Sequence, residues 1–117
     1  MGLRYVILRH EGIESPHFDL MFELEPGAAL ATWRSPDWPP NCLVERIADH
    51  RREYLGYEGP VSNDRGYVRR VEVGTYEWVQ GFELPVLAFT LSGGTNRTLF
   101  LRRVSETGWL GCLQESA

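Results

Sequence analysis

The chain has 117 residues, 43% of them hydrophobic and 24% charged, with a formal net charge of -4. That length suits a single domain, residues 1–117, able to bury a core without metal or disulfide staples. The acidic balance excludes a non-specific nucleic-acid binder, because affinity for phosphate backbones comes from cationic side chains; an enzyme acting on one phosphate stays open. No apolar run is long enough to span a bilayer, and the opening Met-Gly-Leu-Arg-Tyr-Val lacks the apolar segment of a secretory signal, so the expected location is cytoplasmic with no membrane partner. Cys42 and Cys112 then read as free thiols. All twelve Lys and Arg positions are arginine, whose fork suits bidentate phosphate contacts.

Residues 4–9 are rich in β-formers and too short for a stable helix, which predicts a strand leading into His10. Gly12, Ser15 and Pro16 mark residues 11–16 as a loop. From His17 to Leu24 the alternation sends Phe18, Leu20, Phe22 and Leu24 to one face, expected to be the core, and His17, Asp19, Met21 and Glu23 to the other. That parity sets His17 and Asp19 side by side, about 7 Å apart along the strand. Glu25-Pro26-Gly27 is a turn signal, and Ala28 to Trp33 reads as the returning strand. The three prolines within residues 34–41 predict a long loop.

Leu43 to Ala48 predicts a short strand with Asp49 and His50 at its end, and residues 51–60 a turn or short helical piece. After a loop at 63–66 come strands at Tyr67–Val73 and Thr75–Gln80, separated by Gly74. A strand at Leu84–Leu91, a turn over Ser92–Asn96 and a strand at Arg97–Val104 follow, with Trp109–Leu113 as a last strand or packed tail. Turn signals every 8–12 residues, without a helical period beyond about two turns, predict an all-β, mainly antiparallel fold. Its expected form is a small closed or partly closed β-barrel with little helix.

The chain's three histidines all stand near acids: His10 before Glu11, His17 two positions before Asp19, and His50 after Asp49. His17, Asp19 and His50 have the composition of a two-histidine, one-carboxylate triad that leaves positions open on iron or manganese. His10 is then a surplus ligand, so either His10 or His17 has another task. The plainer reading is two polar residues on a solvated strand face. Tyr54, four residues after His50, has a phenol that can donate to a metal-bound phosphate, against ordinary packing. Arg9, Arg46, Arg51, Arg52, Arg65, Arg69 and Arg70 are available to clamp an anion, although each alone suits a solvated surface. The four tryptophans read as core, since no basic patch interleaves them. P-loop, dinucleotide, G-x-S-x-G and zinc-finger patterns are absent.

Together these pieces resemble the 3'-phosphoesterase domain of bacterial DNA ligase D and its free-standing relatives. That family's His-Asp-Ala-Ser-x-Leu-His-Tyr-Asp-Phe-Arg-Leu-Glu block is similar to His10 through Glu23, with one extra residue between His10 and His17. Its Asp-His-x-x-x-Tyr-x-x-Phe-Glu-Gly block is similar to Asp49 through Gly59. Val71 to Glu77 and the segment from Phe89 to Arg103 resemble its later strands. The resemblance implies a compact β-barrel with a crescent-shaped groove and Mn2+, or another divalent transition metal, on His10, Asp19 and His50. It implies that His17 contacts the scissile phosphate, with Tyr54 beside it. The implied reaction removes a 3'-phosphate, or a 3'-ribonucleotide, from a DNA or RNA end, healing it for a ligase or polymerase partner. Two arginines of the family that hold phosphate oxygens are Met21 and Cys42 here, which leaves Arg52 or Arg65 as substitutes. A metal-binding barrel that holds a nucleic-acid end or a partner protein without hydrolysis is the main alternative, and a non-haem iron oxygenase using His17, Asp19 and His50 a distant third.

Overall fold

The computed structural model describes residues 2–79, 84–93 and 97–115. Strands β1 (Leu3–Glu11), β2 (His17–Glu23), β3 (Leu30–Ser35) and β4 (Asn41–His50) come first. A 3-10 turn, η1 (Arg52–Leu55), and the two-residue β5 (Gly59–Pro60) lead into β6 (Tyr67–Trp78), β7 (Val86–Leu91), β8 (Arg97–Arg103) and β9 (Gly108–Glu115). All pairings are antiparallel, in the order β1-β2-β3-β4-β9-β8-β7-β6-β5, and β6 also pairs with β1. Eight strands thereby close into a barrel-like ring, with β5 outside it. Closure removes the open edges that would otherwise recruit another chain.

Alternate residues fill the ring's interior, as a period of two requires. Tyr5 and Ile7, Leu20 and Phe22, Ala31 and Trp33, and residues of β4 and β6–β9 form one cluster. Phe22 is at its centre, stacked on Phe89 at 4.6 Å with edge contacts to Tyr76 at 5.4 Å and Trp33 at 5.9 Å. A second cluster covers the outside of β1–β3: Val6, Leu8, Met21 and Leu30 pack with Val68 beneath Leu55, Tyr54 and Val61. The first two strands are therefore buried on both faces, which explains why Tyr5 to Leu8 and Leu20 to Phe22 are continuous apolar runs.

Several expected boundaries move. Leu24, expected in the core, lies beyond β2 and is exposed. The third strand starts later and runs on through Arg34 and Ser35, ending where Pro36 removes a donor, so the proline loop is shorter than expected. The fourth strand extends through His50. Gly74 does not divide β6: a Cβ there would stand 3.0 Å from the Gly93 backbone, so the glycine permits close approach and the strand continues. Trp109–Leu113 lies inside a paired strand. Trp33 and Trp109 are core residues, Trp38 packs against the core, and Trp78 is 38% exposed. Gln80 and the expected turn residues Gly94, Thr95 and Asn96 lie outside the described residues. Among the described residues, no helix is long and apolar enough to cross a membrane.

Candidate metal centre

Strand register assembles the site. The first hairpin pairs His10 with His17 and Leu8 with Asp19, and the β2–β3 register pairs Asp19 with Arg34 and Met21 with Thr32. Directly paired residues project to the same side of a sheet, so these side chains share the outer face that η1 covers. His17 and Asp19 are 8% and 3% exposed, which rules out the solvated strand face.

His50 reaches this face through an irregularity. Ile47 pairs with Thr32 and His50 with Leu30, so three steps on β4 oppose two on β3. In a regular ladder Asp49 would face Leu30 and His50 would point to the other side. The extra residue of the bulge turns His50 outward.

All three imidazoles are held by backbone carbonyls. His10 Nε2 lies 2.7 Å from the Arg65 carbonyl oxygen, His17 Nδ1 2.9 Å from that of Ser15, and His50 Nδ1 2.9 Å from that of Ala48. A carbonyl only accepts, so those nitrogens donate, and in a neutral imidazole the opposite nitrogen carries the lone pair. Metal-binding imidazoles are commonly oriented this way, one nitrogen tied back and the other free to ligate.

Between His17 and Asp19 the hydrogen-bonding groups are left unmatched, and the nearest cation, Arg34 Nε, is 3.7 Å from Asp19 Oδ1. His17 Nε2 lies 3.4 Å from Asp19 Oδ1, both atoms are buried, and neither has a hydrogen-bond partner among the described residues. With the imidazole neutral these are two desolvated acceptors without a donor, a cost of about 1–3 kcal/mol each. His10, His17 and Asp19 offer ligand atoms that all lie within 4.8 Å of one another. Atoms bound to one ion at about 2.1 Å stand about 3–4 Å apart, so small side-chain rotations close the set. The donor set of imidazole and carboxylate suits a divalent transition metal.

A cavity of about 140 Å³ opens here, lined by His10, Asp19, Arg34, His50, Tyr54 and Arg65, with Met21 buried against it. Arg34 is shared with a hollow of about 500 Å³ that His17 lines beside the Ile13–Pro16 loop. His50, Tyr54 and Arg65 are shared with a second hollow of about 530 Å³ that adds Arg51 and Ser62. Through these shared walls the cavity and the two hollows adjoin as a groove.

The expected residues thus separate. His10, His17 and Asp19 form the tight group; His50, Tyr54 and Arg65 line the same cavity outside it. Tyr54 sets its ring edge against His50, centroids 5.8 Å apart. The Arg65 guanidinium donates to the carbonyl and hydroxyl of Ser62, at 2.8 and 3.2 Å.

The structure gives Arg52 a task other than phosphate binding. Its guanidinium donates to the Glu23 carboxylate and, at 2.9 Å, to the Ala28 carbonyl, and it does not line the cavity. Burial pushes the Glu23 carboxyl up, but the hydrogen bonds from Arg52 and from the Arg4 and Gly27 backbone N–H groups outweigh it and hold the carboxyl below its usual range. Cys42 lies eight residues before His50, about 26 Å along an extended strand, and packs against the interior cluster.

Arg34 was missed in the sequence, where it falls in the proline-rich stretch. The signal was the continuing alternation Leu30, Thr32, Arg34 opposite Ala31 and Trp33, which stops only at Pro36. Compared with known proteins, the chain matches no family model, and no curated protein is significantly similar to it.

Proposed function

We propose that this protein is a divalent-metal phosphoesterase that removes a 3'-phosphate, or a 3'-ribonucleotide, from DNA or RNA ends, in the manner of the ligase D phosphoesterase domains that its motifs resemble. The observation that carries the reading is the pair of buried acceptors without hydrogen-bond partners, His17 Nε2 and Asp19 Oδ1, the second of them on the wall of a cavity that His10, His50 and Arg34 also line. His10, Asp19 and His50 hold the ion, with Mn2+ the expected metal. When bound, the ion polarises a phosphate oxygen and lowers the pKa of a bound water. His17, anchored through Nδ1, presents the Nε2 lone pair to the phosphate site, where it would take a proton from the attacking water and pass it to the leaving oxygen. The Tyr54 hydroxyl and the Arg65 guanidinium, both on the cavity wall, stabilise the oxygens that gain charge. The groove on either side accommodates the strand end that carries the phosphate, and the healed 3'-hydroxyl would pass to a ligase or polymerase in the cytoplasm.

The distances favour a second assignment, with His17 instead of His50 as the third ligand. The test is release of phosphate from a 3'-phosphorylated primer-template with Mn2+, beside His10→Ala, and Mn2+ binding by His17→Ala and His50→Ala. The proposal expects release by the wild type, none by His10→Ala, and Mn2+ binding that survives in His17→Ala but not in His50→Ala. The opposite binding pattern would make His17 the ligand. Binding of metal without release under any divalent cation would leave a metal-holding barrel that binds nucleic-acid ends or a partner protein.

A further inference from the structure

We infer that Arg34 is a further anion-binding residue of this site, paired loosely with Asp19 until a divalent cation takes that carboxylate. The inference rests on the metal reading above and adds to it a residue and an order of events. Arg34 stands directly across from Asp19 on the same face. Its Nε lies 3.7 Å from Asp19 Oδ1, beyond hydrogen-bond range, and no other ion pair or hydrogen bond holds its guanidinium among the described residues. Glu45, its cross-strand neighbour on the other side, is exposed and makes no ion pair with it. The Arg34 side chain is 45% exposed and lines both the small cavity and the hollow beside His17.

Charge decides what such a residue does. With the three imidazoles neutral, Asp19 and Arg34 cancel; a divalent ion added to them leaves a local surplus of two positive charges, one on the ion site and one on Arg34. A site carrying that surplus selects an oxyanion. The guanidinium's planar fork of N–H donors matches two oxygens of a phosphate monoester. Met21 shows why the duty falls to the neighbouring strand: it is 1% exposed and packed with Val6, Leu8, Leu30 and Leu55, where a cation would be buried without a partner. Because the ion competes with Arg34 for Asp19, metal binding frees the guanidinium, and the two ligands tighten each other's binding by the same factor.

The test is calorimetric titration of inorganic phosphate into wild type, Arg34→Ala and Arg34→Lys, with and without Mn2+, beside Mn2+ binding read by electron paramagnetic resonance. Wild type should bind phosphate more tightly when Mn2+ is present. Arg34→Ala should lose about tenfold or more of the Mn2+-dependent phosphate affinity, the effect of removing a hydrogen-bonded charge, with Mn2+ affinity unchanged or increased. Arg34→Lys should fall between. Equal phosphate binding by wild type and Arg34→Ala would overturn the inference, and so would a parallel loss of Mn2+ affinity, which would make Arg34 only a prop for Asp19. Failure of the metal reading shows separately, as no Mn2+ binding by the wild type, and overturns the inference with it.

Discussion

Asp19 concentrates the conflict between stability and function at the scale of single residues. Its carboxylate is 3% exposed, and its Oδ1 faces the bare Nε2 of His17 without a donor between them. Arg34, 3.7 Å away and beyond hydrogen-bond range, compensates this buried charge only in part, so the burial opposes folding. Asp19→Asn should therefore raise the melting temperature of the metal-free protein, since the amide supplies an N–H to His17 and carries no charge. At this chain length about 1 kcal/mol corresponds to roughly 3–6 °C. Saturating Mn2+ should raise the wild-type melting temperature by mass action and leave Asp19→Asn unmoved. Thermal melts with and without MnCl2 check both; a variant that melts lower than the metal-free wild type would show that Asp19 is already satisfied.

At the scale of elements, the site depends on how η1 is held against the strands. Arg52, the first residue of η1, ties it to Glu23 at the end of β2 and to the Ala28 carbonyl, and so holds the turn that carries Tyr54 and Leu55 over the second cluster. Arg52→Ala should destabilise the fold by about 1–2 kcal/mol, the lower part of the range for charged hydrogen bonds because the side chain remains partly in water. The Glu23 carboxyl is held below its usual value, so its contribution is fully present above the unfolded carboxylate value of about 4.3 and is lost as pH falls through the lower folded value. Urea unfolding of the wild type should therefore lose stability as pH falls below about 4.3, and Glu23→Gln should flatten that part of the profile. An unchanged acid limb in the variant would place the dependence elsewhere.

For the whole molecule, the ring closes around aromatic packing as well as ladder hydrogen bonds. Phe22 contacts Tyr5, Trp33, Tyr76 and Phe89, and so joins the first three strands to β6 and β7 across the interior. Phe22→Ala should cost about 3–5 kcal/mol, from the lost transfer energy and the cavity left behind. Against a typical total of about 5–15 kcal/mol, that is a large share. Denaturant unfolding measures it directly, and a loss under 1 kcal/mol would mean that the ring is held chiefly elsewhere. Because β1 lies at the seam between β2 and β6, the same loss should loosen the strand that carries His10.

Alternation within strands, β-forming side chains and turn residues are local properties, so the antiparallel β fold, the position of η1 and the shared face of His17 and Asp19 were all legible in the sequence. The clustering of histidine with acid likewise pointed to residues that the structure brings near one another: His10, Asp19 and His50 line one cavity, and His17 stands beside Asp19. Non-local pairing decided the rest. Closure of β6 on β1 buried both faces of the first hairpin and turned a face that alternation marks as polar into a covered site. The bulge opposite Leu30 aimed His50, the β2–β3 register put Arg34 beside Asp19, and Glu23 drew Arg52 away from the groove. Each of these depends on which residue of a distant segment lies opposite, and no short stretch of sequence specifies that.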